Sequence, residues 1–161
     1  MKQIKTEAIT VSAFAPFGDI LEARGAHDAL INQDKCKRFH DRAALDFSTG
    51  RAGVSVFQAE PRHLPYEFNL VERHPMGSQC FVPMHEHPFL VIVAEDADGV
   101  PKTPRAFLTE GGQAINFHRG TWHGVLTPLH APGLFTVIDR IGDGDNLEEY
   151  TYDQSFVVIE G

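Results

Sequence analysis

Along this chain apolar positions gather in short runs, and Gly, Pro or Asp interrupts them at the spacing of β-turns. Runs rich in Val, Phe and Ile fall at 54–58, 67–73, 78–82, 89–94, 105–108, 113–118, 123–127, 134–140 and 156–159. Short, evenly spaced strands of this kind predict an antiparallel sandwich or barrel, and no long segment with a 3.6-residue period competes with them. Phe89-Leu-Val-Ile-Val-Ala has no polar alternation and is expected to be buried on both faces. Ser78–Val82 does alternate, which puts Gln79 and Phe81 on one face and Cys80 and Val82 on the other.

The remaining segments read as connections. Thr10-Val-Ser-Ala-Phe-Ala is the best short helix, with Thr10 as N-cap and Pro16 as the stop. Gly18-Asp-Ile-Leu turns into a strand. Residues 22–42 are polar and aperiodic, hence loop and irregular edge; Glu95–Pro104 is a long surface hairpin loop. Gly142-Asp-Gly-Asp-Asn opens a tail expected to pack outside the barrel. The whole is expected to be one mostly-β domain over residues 1–161 with one or two short helices.

Composition narrows the partners. Apolar residues are 42% and charged residues 22% of the chain, ordinary for a globular protein. The formal charge of -8 repels phosphate backbones and anionic lipid, so neither nucleic acid nor a membrane is an expected partner. The apolar run at 89–94 is far shorter than the ~20 residues that span a bilayer, and Met1-Lys-Gln-Ile-Lys-Thr-Glu has no apolar secretory core. Cys36 and Cys80 belong to no C-x-x-C pair, and two such thiols point to a reducing cytoplasm.

Nine histidines are unevenly placed. Gly112-Gln-Ala-Ile-Asn-Phe-His118-Arg-Gly120-Thr-Trp-His123 reads G-x5-H-x-G-x2-H: a turn, a strand, a tight reversal at Gly120, and His123 opening the next strand. This is similar to the second motif of the cupin barrels, G-x5-P-x-G-x2-H, with His118 in the proline's place. The first cupin motif, H-x-H-x4-E-x6-G, has an in-register echo in Glu72-x-His74-x4-Gln79-x6-Glu86. Glu72 and His74 share a face of an extended segment, and Gln79 converges from the next strand. With His123 they make a set of two oxygens and two imidazoles able to hold a divalent ion such as nickel, manganese or iron. The same residues serve equally as acid and base without a metal. Plainer readings stand beside these. His27, His40, His63 and His130 are read as hydrogen-bonded structural residues. His85-x-His87 is read as a loop bordering the site, because the acid a cupin pair needs would fall on Val91 or Ile92.

Val71-Glu-Arg-His-Pro-Met-Gly-Ser-Gln-Cys-Phe-Val-Pro-Met resembles the signature ERHP-x-G-[ST]-Q-x-F-[IV]-P-[ML] of the ureidoglycolate lyases. Pro88–Ala94, Arg105–Leu108, Gly112–His123 and Ile138-Asp-Arg-Ile-Gly match that family in order and spacing, as do Phe17-Gly-Asp and Asn32. Glu86 stands where relatives tend to carry glycine, and Gly124 where some carry a second histidine. The resemblance implies a dimeric cupin-like barrel of the double-stranded β-helix type that cleaves (S)-ureidoglycolate to glyoxylate and urea. It implies no organic cofactor; a divalent metal, nickel or manganese, is the open question.

Ureidoglycolate is a carbinolamide, so elimination needs a base for the hydroxyl proton, an acid for the departing nitrogen and a hold on the carboxylate. Glu72 or His74 is assigned the base and His118 or His123 the acid. Gln79 is assigned a substrate oxygen or the fourth metal position, and Arg140, ahead of Arg73 or Arg119, the carboxylate. Arg73 should point away from His74. Phe81 and Trp122 are expected to wall the pocket. The competing expectations are another metal-dependent cupin acting on a small carboxylic acid, and a non-catalytic binding barrel.

Overall fold

The computed structural model describes residues 1–161. Its strands are β1 (Lys2–Ala8), β2 (Gly18–Leu21), β3 (Ala29–Ile31), β4 (Cys36–Arg38), β5 (Arg51–Gln58), β6 (Tyr66–Arg73), β7 (Gln79–Pro83) and β8 (Phe89–Ala94). They continue as β9 (Asp96–Ala97), β10 (Val100–Pro101), β11 (Arg105–Leu108), β12 (Ala114–Phe117), β13 (Trp122–His123), β14 (Thr127–Pro128), β15 (Leu134–Ile141) and β16 (Glu148–Ile159). One short helix, α1 (Val11–Phe14), is capped as expected: Thr10 Oγ1 accepts from Ala13 N–H at 3.2 Å.

Half the chain is strand, and six strands close a barrel of cupin-like form. The seven-stranded sheet runs β11-β1-β16-β6-β13-β8-β14, and β11 also pairs with β8, which closes the ring. A five-stranded sheet, β2-β12-β7-β15-β5, packs against it. Most pairings are antiparallel, but β1 lies parallel to both β11 and β16.

Two cores result. Phe81, Phe117, Phe135 and Val137 of the five-stranded sheet meet Val91 and Val93 of β8 in one. Leu90, Ile92, Ala106, Trp122, Phe156 and Val158 fill the inside of the ring in the other. Strand β8 separates them and offers alternate residues to each, so all six of its side chains are buried and its unbroken apolar run has a physical reason. Each buried Phe, Val, Ile or Leu side chain contributes about 1.5–3 kcal/mol of transfer free energy.

The residues after 142 do not form an external tail. Strand β16 pairs with β6 and β1, and Phe156 and Val158 are core residues. The polar stretch 22–42 is loop apart from the exposed β3–β4 hairpin. The segment 95–104 is a hairpin, as expected, closed by β9 and β10. The single strand expected at 123–127 is two short ones, β13 and β14, separated at Gly124–Leu126. No helix is long and apolar enough to cross a membrane.

Candidate active site

Strand alternation on β6 turns Glu72 and, just past its end, His74 toward the five-stranded sheet. Val71 and Arg73 face the other way, and the Arg73 guanidinium lies 4.4 Å from the Trp122 ring centroid. Strand β13 meets β6 at the pair His123↔Glu72. The potential ligand atoms of Glu72, His74 and His123 all lie within 4.8 Å of one another. The two imidazole centroids are 5.2 Å apart.

Each imidazole is held through one nitrogen. His74 Nδ1–H donates to the Asn146 carbonyl at 2.8 Å, and His123 Nδ1–H donates to the Gly124 carbonyl at 2.9 Å. A carbonyl only accepts, so the protons sit on Nδ1 and the Nε2 lone pairs are turned into the site. Both Nε2 atoms are buried and have no partner within the protein. The His123 ring stacks on Phe117 with centroids 4.3 Å apart and planes within 6°. Burial pushes the His123 imidazole down to about 3, so it is neutral at working pH. Burial raises the Glu72 carboxyl, only partly offset by His74.

Gln79 lies next to this group, one ring removed from His123. It is the cross-strand partner of Phe117, the ring on which His123 lies, and its side chain points inward with Phe81. Gln79 Nε2–H donates to Asp139 Oδ2 at 3.2 Å, which leaves Oε1 buried without a partner. Phe81 packs edge-on against Phe117 at 5.9 Å and forms the apolar floor.

The site therefore presents two imidazole nitrogens, one amide oxygen and one carboxylate, all of them acceptors. Four buried or half-buried lone-pair donors without a protein hydrogen to satisfy them suit a divalent cation of the nickel, manganese or iron type. Anchoring of each histidine through its second nitrogen is the support such ligands require.

Three residues expected at the site are elsewhere. His118 follows inward Phe117, so it points out; its Nε2 lies 2.9 Å from Asp19 Oδ1 on the outer face of the sheet. Burial alone would raise the Asp19 carboxyl, but hydrogen bonds from Ala44 N–H and Asn116 and the nearby His118 imidazole outweigh it and hold it below the usual range. Trp122 precedes His123 and faces the ring interior, donating Nε1–H to Asp96 at 2.8 Å. Arg140 is buried outside the five-stranded sheet, where Nε–H donates to the Phe47 carbonyl at 3.1 Å and an Nη2 hydrogen to the Asp143 carbonyl at 2.8 Å. It ties two loops together rather than facing His123. The His85–His87 loop does not border the site. It leaves the far end of β7, six residues or roughly 20 Å along the chain from Gln79. There His87 stacks on His130 at 4.9 Å.

Motif spacing gives no role to Asn146 or Asp139. Asn146 fixes His74 by its carbonyl and Met76 N–H by its side chain at 2.8 Å. A backbone carbonyl gives no residue-type signal, but Asp139 lies two positions on from core residue Val137 and shares its face.

Fold and site together define a cupin-like barrel with a histidine–carboxylate centre at one end. Comparison with known proteins places it more narrowly. The family model described as ureidoglycolate lyase matches residues 1–159, and the chain belongs to that family. It is 56% identical over 151 residues to a ureidoglycolate lyase of Rhodobacter capsulatus, covering 93% of this chain and 94% of the relative. It is 46% identical over 160 residues to one of Chelativorans sp., covering 98% and 97%. A third, from Mesorhizobium japonicum, is 44% identical over 161 residues, covering 98% of each.

Proposed function

We propose that this chain is a ureidoglycolate lyase that eliminates urea from (S)-ureidoglycolate and releases glyoxylate, within allantoin breakdown. The observation that carries the reading is the convergence of Glu72, His74 and His123 in a member of that family. Loss of the hydroxyl proton lets the carbon–oxygen double bond form as the carbon–nitrogen bond breaks, and the departing ureido nitrogen takes up a proton.

Glu72 is assigned the transfer, because it is the one carboxylate among the three side chains that converge and lies beside the two imidazoles. His123 is not assigned the acid: its Nδ1 hydrogen is committed to Gly124 and its neutral Nε2 has none to give. His74, His123 and Gln79, with one oxygen of Glu72, would hold a divalent nickel or manganese ion, which supplies Lewis acidity toward the substrate oxygens. The second Glu72 oxygen keeps the proton role. Phe81 and Phe117 exclude water from below. Proton transfer of this type is worth roughly 10²–10⁴-fold.

Two further assignments belong to the same reading. The protein works in the cytoplasm, which suits its two free thiols, Cys36 and Cys80. It forms a homodimer across β5, the outer strand of the five-stranded sheet, where Val54 and Val56 are 71% and 63% exposed. The test of the activity is product stoichiometry: racemic ureidoglycolate should yield glyoxylate and urea in equal amounts, and release of ammonia in place of urea would overturn it.

A further inference from the structure

Gln79 Oε1, like the two imidazole nitrogens, is a site acceptor whose identity is not fixed by its own residue type. An amide side chain can present either its oxygen or its NH₂ to a pocket, and the two ends differ in sign. Which end faces inward is decided by what holds the other. Here the neighbour is Asp139, the cross-strand partner of Gln79 on β15. A carboxylate can only accept, so the contact between Gln79 Nε2 and Asp139 Oδ2 at 3.2 Å takes an NH₂ hydrogen and leaves the oxygen free. That oxygen is buried and unpartnered. A buried acceptor left unmatched is costly, so its retention points to a cation or an N–H donor that meets it when the site is filled.

We propose that Asp139 is a positioning residue that locks the Gln79 amide with its oxygen toward Glu72, His74 and His123, keeping the site an all-acceptor cage. The identity of what fills the cage, a divalent cation beside ureidoglycolate, rests on the function proposed above; the orientation of the amide does not. Asp139→Asn removes the constraint. The new side chain offers its own NH₂ to Gln79 Oε1, the Gln79 amide turns over, and an NH₂ replaces an oxygen in the cage. Losing an outer support of a metal ligand weakens binding by about 10–100-fold.

The test combines two readouts on the full-length protein. In the first, the ¹⁵N side-chain amide resonance of Gln79 is assigned by its loss in Gln79→Glu, and its hydrogen exchange is followed. The expected result is slow exchange in the wild type and a marked shift in Asp139→Asn. In the second, manganese binding is titrated by electron paramagnetic resonance. Asp139→Asn should bind at least tenfold more weakly. With Gln79→Glu as the reference, adding Asp139→Asn should cost little, because a carboxylate at position 79 presents an oxygen whichever way it turns. An Asp139 that acts only through its charge or through the packing of the sheet would cost as much beside Gln79→Glu as it does in the wild type, and that result would overturn the proposal. A Gln79 amide that exchanges at solvent rates in the wild type overturns the proposal. So does Asp139→Asn binding manganese like the wild type. Failure of the wild type to bind manganese, with the amide protected as expected, would overturn the metal reading and leave the orientation standing.

Discussion

His74 and His123 face each other with ring centroids 5.2 Å apart, each tied by Nδ1 to a backbone carbonyl and each turning an unpartnered Nε2 to the same side. Neither ring is free to rotate away, and neither carries a hydrogen on the atom it presents. Such a pair is preorganised to accept, which fits a cation or an N–H donor better than a role in proton donation.

Burial of His123 has a consequence for acid stability. Its pKa is depressed to about 3 in the folded protein, while the unfolded chain binds a proton near the ordinary value of 6.5. Between those pH values the unfolded state holds the extra proton, so the neutral ring's stabilisation is present above about 6.5 and lost as pH falls toward 3. The slope approaches about 1.4 kcal/mol per pH unit. Urea midpoints of the metal-free protein at pH 7 and pH 5 should show this loss, and His123→Phe, which keeps a ring stacked on Phe117, should flatten it.

For His118 the expectation is modest. Its ring is on the outer face with Asp19, so His118→Asn should lower kcat/KM by less than about tenfold, short of the roughly 10²–10⁴-fold of a catalytic proton donor. Steady-state kinetics decide between these.

Arg140 should act on stability rather than on substrate affinity. Its guanidinium donates to the Phe47 and Asp143 carbonyls in a buried setting. Arg140→Ala should cost about 3 kcal/mol in urea unfolding, from two lost charged hydrogen bonds. The KM of the folded fraction should stay near that of the wild type.

The barrel strands were legible because each carries a two-residue alternation or a continuous apolar run. The exceptions are physical. Strand β1, Lys-Gln-Ile-Lys-Thr-Glu-Ala, shows mostly polar side chains, with Ile4 packed against the ring core, so nothing in its composition marks it. Strand β16 hides its first half in the same way behind Glu148, Glu149 and Asp153, although Tyr150 and Tyr152 pack on the core. Motif spacing also brought out Glu72, His74 and His123, whose ligand atoms the fold draws together. It misplaced His118 and Trp122 because each lies next to an inward residue, Phe117 or His123, and neighbours on a strand point to opposite faces. Arg140 failed for the same reason beside Asp139. The His85–His87 loop follows the end of β7 that lies opposite Gln79, so the strand carries it away from the site.

The β5 edge offers a separate check. Val54→Lys places a charge where two exposed valines lie side by side. If the chain pairs across this edge, light scattering should show a dimer for the wild type and a monomer for the variant. Equal masses would place the interface elsewhere.

The most direct measurement is glyoxylate release from racemic ureidoglycolate by the purified protein. It is run as prepared, after EDTA, and after readdition of nickel or manganese, with His123→Ala alongside. Equimolar glyoxylate and urea are expected from the wild type, lost on chelation and restored by the metal. His123→Ala should fall by about 10²-fold or more in kcat/KM while remaining folded. No glyoxylate from folded wild-type protein under any of these conditions, or full activity in His123→Ala, would contradict the assignment of Glu72, His74 and His123 as the lyase centre.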